Sequence, residues 1–175
     1  MLSLETDLDR IAALAEQRRD DNQAFACFVD ILWEREGRSD AELDALVDQI
    51  AAEVSRSIDC TACANCCRTL KVGLEPDDVP RLAAGTGCSA ADVLARYVDR
   101  SAGAAVGEWA MLRGVPCPFL RDNLCSVYAH RPLACYYYPA FTPDFRWLLD
   151  AILEDAGRCP IVFNVIERLK VRLGW

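Results

Sequence analysis

Cys60, Cys63, Cys66 and Cys67 place four thiols within eight residues, the densest concentration of reactive groups in this 175-residue chain. Thiols this close cannot all pair with one another without severe strain, but as thiolates they can converge on a metal through one tight turn. Cys117, Cys125, Cys135 and Cys159 add four more candidates, making eight ligands for a polythiolate metal centre. Cys60, Cys63 and Cys66 have the C-x-x-C-x-x-C spacing with which bacterial ferredoxins present three thiolates to an iron–sulfur cluster, a remote Cys-Pro supplying a further ligand. Cys117-Pro118 and Cys159-Pro160 both offer such a remote pair. Side chains of adjacent residues point apart in extended or turn conformations. Cys66 and Cys67 are therefore expected to serve two centres, or two sides of one.

Zinc is the alternative, since it too accepts four thiolates. Zinc ribbons show two separated C-x-x-C knuckles, and this chain has one cluster followed by single cysteines, so the spacing favours iron–sulfur over zinc by a narrow margin. The single histidine, His130, makes Cys₂His₂ sites improbable and reads as a surface or hydrogen-bonded residue. Arg68 and Arg158 flank cysteines, and Arg113, Arg121 and Arg131 lie within a few residues of others. Guanidinium groups there would offset the negative charge of four thiolates, although ordinary surface positions explain them as well. Phe119, Tyr128, Tyr136, Tyr137, Tyr138, Phe141, Phe145 and Trp147 would serve equally to wall a site from water or to fill a core. Cys27 and Cys88 fall outside the pattern and read as small buried or surface residues.

The elements that must position these thiols are mainly helical. Leu4, Leu8, Ile11, Ala12 and Ala15 recur at helical steps, and Phe25, Phe28, Val29 and Leu32 continue after the polar run Arg18–Asn22, as one helix or two. Gly37 ends that segment, and Ser39 with Glu42 forms a capping box for the next helix, with Leu43, Leu46, Val47, Ile50, Val54 and Ile58 as its stripe. That helix is expected to run directly into Cys60. Beyond the cluster, Arg68–Leu74 reads as a short strand and Glu75–Asp78 as a turn opening a short helix. Ser89 caps a helix whose inner side carries Val93, Leu94, Tyr97 and Val98. Ser101–Gly107 reads as a flexible connection, and Trp109–Leu112 with Pro118–Tyr128 as a small hairpin or irregular sheet. Pro160 opens a final helix with Ile161, Val162, Val165, Ile166 and Leu169 inward. The expected fold is therefore mainly α (α+β): an N-terminal region of antiparallel helices over 1–59 and a cysteine-rich, metal-centred region over 60–175, packed as one domain.

Composition narrows the function classes. Apolar residues make up 53% of the chain, so a core can form without disulfide staples. The start of the chain has no basic segment leading into an apolar run, and no stretch is long and apolar enough to span a membrane, so a cytoplasmic location is expected. In that reducing compartment ten cysteines read as metal ligands or redox thiols. The net charge is −8, and residues 1–59 hold fifteen acidic against six basic side chains. This argues against nucleic-acid binding, which needs clustered cations. It leaves the N-terminal helices as solvated faces or as a docking surface for a basic protein partner. There is no P-loop, no glycine-rich nucleotide loop, no G-x-S-x-G and no radical-SAM C-x-x-x-C-x-x-C.

C-x-x-C-x-x-C-C at 60–67, Cys117-Pro-Phe-Leu120, Cys125 through His130-Arg-Pro to Cys135, and Cys159-Pro160 occur in the order that resembles the YkgJ-type cysteine-cluster family. The resemblance spans roughly residues 60–160 and implies a zinc- or iron-chelating domain, often labelled an iron–sulfur oxidoreductase. Where that family continues its third motif as Cys-Arg, this chain has Tyr136, so a role for that arginine does not carry over. The resemblance extends more remotely to flagellin lysine N-methylases, which contain a similar cysteine domain. The functional expectation is a metal-binding protein in a structural or chelating role, with an iron–sulfur redox protein as the alternative and a methylase-related component as a third.

Overall fold

The computed structural model describes residues 3–175, so the part of the leader reading that rests on Met1 and Leu2 lies outside the described residues. Asp7 caps α1 (Leu8–Gln17), its carboxylate accepting from the Arg10 amide at 2.8 Å. A break of one residue, Arg18, separates α1 from α2 (Arg19–Glu36), so the polar run 18–22 lies almost wholly within a helix. Gly37 stops α2 in the left-handed region at φ 61°, where a side chain is disfavoured. The Glu42 carboxylate accepts from the Ser39 amide at 2.9 Å and fixes the start of α3 (Asp40–Ser55). This helix stops short of the cysteines rather than running into them.

The middle of the chain is built from short pieces. They are α4 (Cys60–Cys63), α5 (Asn65–Thr69), β1 (Gly73–Leu74), α6 (Asp78–Thr86), α7 (Ala90–Tyr97), β2 (Val98–Asp99) and α8 (Arg100–Ala104). There follow β3 (Ala110–Leu112), β4 (Leu120–Arg121), β5 (Leu124–Cys125), a 3₁₀ turn at Tyr128–His130 and α9 (Leu133–Tyr137). Two longer helices, α10 (Phe145–Glu154) and α11 (Pro160–Leu173), close the chain. The fold is mainly α with small antiparallel sheets, as expected.

The chain forms two compact units, Met1–Asp59 with Pro139–Trp175, and Cys60–Tyr138. In the first, α11 packs on α3 and α1, and α10 packs on α2 and α3. Every residue from 159 to 166 is buried, so the first half of α11 occupies the interior. Phe25, Trp33, Leu43, Val47, Phe145 and Leu149 are fully buried side chains of this unit. Lys170 is also buried, and its ammonium donates to Asp21 and Asn22, each at 2.6 Å.

In the second unit β3 is the middle strand of an antiparallel sheet, with Leu74 opposite Ala110 and Val98 opposite Leu112. Leu74, Leu82, Val93, Val98, Ala110 and Phe119 belong to its core, with Cys117 and Cys125 packed against them. Several expectations are corrected here. Arg68 and Thr69 are helical, so the expected strand shrinks to Gly73–Leu74. Leu94 is 43% exposed rather than inward. Ser101–Gly107 is not a flexible connection through its length, because α8 occupies its first part and Gly103 lies against β3. A Cβ on Gly103 would come within 2.4 Å of the Ala110 Cα. Trp109–Leu112 does not pair with Pro118–Tyr128; β3 pairs with β1 and β2, while β4 and β5 form their own hairpin around Asp122 and Asn123.

Candidate metal centre

The cysteine cluster is carried on two short helices joined at Ala64, which sits in the left-handed region at φ 49°. The reversal lets α4 present Cys60 and Cys63 while α5 presents Cys66 and Cys67. The Arg68 guanidinium donates to the Cys63 carbonyl at 2.7 Å and also to the Asn123 side-chain oxygen. Asn123 in turn donates to the Ala62 carbonyl at 3.1 Å. Arg68 and Asn123 thus clamp the cysteine turn to the tip of the β4–β5 hairpin. Planar, forked donors suit this double attachment.

Three further cysteines share the second unit with Cys67. The Cys117 amide donates to the Cys67 carbonyl at 2.8 Å, which fixes the two backbones side by side. The Leu120 amide donates to the Cys117 carbonyl at 3.1 Å, and Leu120 is the register partner of Cys125 in the hairpin. Cys135 comes from α9, whose first amide, Leu133, donates to the Asp78 carboxylate at 2.9 Å. The other Asp78 oxygen accepts from the Glu75 amide, also at 2.9 Å. Asp78 is 1% exposed, and two backbone bonds of this kind satisfy a buried carboxylate while fixing where α9 begins.

The thiols feel one another's charge. Burial pushes the Cys135 thiol up to about 12, with Cys117, Cys67 and Cys125 adding to the rise. Burial also raises Cys117, with further contributions from Cys67 and Cys125, and raises Cys125, with a contribution from Cys67. Cys67 is held down, to about 6, chiefly by hydrogen bonding from the Cys66 thiol and with help from Arg68. Among the described residues, no three His, Cys, Asp or Glu side chains stand together so as to hold a metal ion.

The donor set nevertheless fits a soft metal. Cys67, Cys117, Cys125 and Cys135 are half-buried and not disulfide-bonded, and burial raises the cost of deprotonating the last three. A cation among them reverses that cost, and sulfur-only donors select zinc, Cu(I) or iron–sulfur clusters. Of the other expected ligands, Cys60 is exposed, Cys63 and Cys66 are half-buried on the same turn, and Cys159 lies in the first unit, buried where α11 begins. Cys27 is exposed on α2, and Cys88 packs half-buried beside the core of the second unit.

The arginines mostly bond backbone. Arg113 donates to the Val98 carbonyl at 2.7 Å, Arg121 to Pro118 at 2.9 Å, and Arg131 to Tyr128 at 2.7 Å. Arg131 is also stacked between the rings of Tyr128 and Tyr136, 4.1 and 4.8 Å from their centroids. Of the aromatic residues, Phe119 is buried beside the cysteines and packs on Tyr97, whereas Tyr128, Tyr136 and Tyr137 are exposed. Sequence reading missed Asn123 and Asp78. The run Glu75-Pro-Asp-Asp78 carried a turn signal, but nothing in it marks the fourth residue as a buried acceptor for a segment fifty-five residues on.

Residues 59–159 match the family model CxxCxxCC, described as "Putative zinc- or iron-chelating domain". Comparison with curated proteins and with solved structures found no match. Among the described residues, no helix is long and apolar enough to cross a membrane.

Proposed function

Because this chain belongs to the CxxCxxCC family, we propose that its second unit is a metal-chelating module in which the metal is a structural staple. The observation that carries this reading is that Cys67, Cys117, Cys125 and Cys135, from four separate chain segments, fall in one unit, with the Cys117 amide bonded to the Cys67 carbonyl at 2.8 Å and Cys125 in register with Leu120 in the adjoining hairpin. The architecture supports a structural role. Strands of two or three residues and helices of four to nine residues have little stability of their own. In a unit whose core is this small a bound metal commonly adds the stability that packing does not supply.

Under this reading, the cysteines between Cys60 and Cys135 hold the metal and orient it. Bound there, an iron–sulfur cluster would supply one-electron chemistry, and zinc would supply a rigid tetrahedral crosslink. The C-x-x-C-x-x-C spacing and Cys117-Pro118 favour the cluster. Anaerobic purification followed by metal and acid-labile sulfide analysis tests both parts. Brown protein with stoichiometric sulfide supports the cluster, and colourless protein with about two zinc per chain replaces it with zinc. Protein that keeps its near-UV circular dichroism and its thermal transition after the metal is stripped refutes the structural role.

A further inference from the structure

We propose that a groove of the first unit, between α1, α2 and α10, is the docking site for a lysine-bearing peptide segment of a partner protein, held through Asn22, Asp150 and Glu154. The inference is independent of the metal-chelating reading and concerns the other unit. The groove has a volume of about 530 Å³, within the range of roughly 300–1,000 Å³ of sites that enclose a ligand. Ala12 and Ala15 of α1 and Gly157, just past α10, line it with small residues. One side closes where Gly157 meets α1: a Cβ on Gly157 would lie 3.3 Å from the Ala15 Cβ.

Three observations identify the occupant. Asn22 lines the groove although it is only 7% exposed. Its side-chain oxygen accepts from the Lys170 ammonium at 2.6 Å, and an ammonium can only donate, so the orientation of the amide is fixed. The amide nitrogen therefore points away from Lys170, and among the described residues it has no acceptor. A buried donor of this kind calls for an acceptor from outside the chain. Asp150 and Glu154 line the same groove, one helical turn apart on α10. Like charges at that spacing repel, and among the described residues neither carboxylate has a cationic partner. Glu16, the third carboxylate of the lining, is already paired with Arg19. Finally, the first unit carries twenty acidic against eleven basic side chains, so the field around the groove attracts cations. An acceptor beside a positive charge is what a peptide carbonyl next to a lysine side chain supplies: the carbonyl accepts from Asn22 while the ammonium reaches Asp150 and Glu154. A protonated polyamine supplies the charge without the acceptor.

The test uses the full chain as purified. The probe is a fluorescein-labelled peptide of alternating lysine and glycine, followed by anisotropy at low ionic strength, with a glutamate–glycine peptide as the control. Asp150→Asn/Glu154→Gln should weaken binding of the lysine peptide about fivefold. Asp20→Asn/Glu34→Gln, which removes two carboxylates of α2 outside the groove, should change it less than about twofold. Asn22→Asp keeps the shape and the acceptor for Lys170, removes the unpaired donor and adds a negative charge. It should weaken the peptide roughly three- to tenfold, whereas a site built on charge alone would bind the peptide more tightly. Should Asn22→Asp fail to fold, the side-chain amide resonance of Asn22 in the wild type decides instead, and it should shift at saturation with the lysine peptide. No binding by the wild type, equal binding of the glutamate peptide, or equal weakening by the two double variants overturns the proposal. So does tighter peptide binding by Asn22→Asp, or an unmoved Asn22 amide. An equal loss for spermine in Asn22→Asp, since spermine has no acceptor to offer, overturns the role of Asn22 and the proposal with it.

Discussion

Replacing Asp78 with Asn changes one buried atom and should loosen the whole start of α9. The side chain is 1% exposed and its two oxygens accept separately, from Glu75 and Leu133, at 2.9 Å each. Asparagine has the same shape but one acceptor, so its amide group must face one of the two N–H donors. A hydrogen bond to a charged acceptor contributes about 1.5–3 kcal/mol, and a buried donor left without a partner costs about 1–3 kcal/mol. The retained bond becomes an ordinary neutral one, and the loss of a buried charge returns part of the cost. The expected net loss is about 2–4 kcal/mol, or roughly 4–16 °C in Tm for a chain of this size. Asp78→Ala should lose more, because both donors are stranded. Thermal denaturation of the metal-loaded protein measures the first effect, and hydrogen exchange at the Leu133 amide measures the second. Metal should also leave Asp78→Asn faster under chelator, since Cys135 sits two residues beyond Leu133. A variant with unchanged Tm and an equally protected Leu133 amide would refute the anchoring role.

Other perturbations follow from the same geometry. Gly103→Ala would force a Cβ to within 2.4 Å of backbone that cannot swing aside, and should cost about 3 kcal/mol in a urea titration, the upper end for overpacking. Arg68→Ala should cost about 1–2 kcal/mol by removing one of the two links between the cysteine turn and Asn123. Arg68→Lys should not rescue it, because an ammonium cannot span both acceptors as a fork does; chelator-driven metal loss would show this. Asp21 is held below its usual value, chiefly by its hydrogen bond from Lys170. A lowered folded-state value means the contribution is present above the ordinary aspartate value of about 4 and disappears as pH falls through the folded one. The stability gap between wild type and Asp21→Asn should therefore be widest near neutrality and narrow on acidification, a modest effect given the exposure of Asp21. A gap that widens in acid contradicts the pairing.

Helix ends were the most legible part of the fold, because they depend on neighbours in sequence. Ser39 with Glu42, Gly37 and Pro160 mark boundaries that the structure keeps. The strands were not legible in the same way. Two or three residues cannot display an alternating pattern, and the pairing of Leu74 with Ala110 spans thirty-six positions. Ser101–Gly107 resembled a linker because its residues are small, yet Gly103 is small because a strand backbone lies against it. In the site, the thiols announce themselves by type and spacing. Asp78 and Asn123 do not, since a buried acceptor and a carbonyl clamp are defined by segments distant in sequence.

The return of Pro139–Trp175 to the first unit sets an order of events during synthesis. The helices α1 to α3 emerge with their apolar stripes uncovered, because the interior helix α11 begins only at Pro160. At about 5–20 residues per second, the wait from the end of α3 to the start of α11 is on the order of 5–20 s. All of Cys60–Tyr138 emerges in that interval, so the cysteine unit can fold and load before its host has a core. Once folded, it replaces a long flexible loop, whose closure would otherwise oppose assembly of the first unit by about 4 kcal/mol. Starving the cell of the metal should then leave the first three helices exposed to proteases, although none of them carries a proposed ligand.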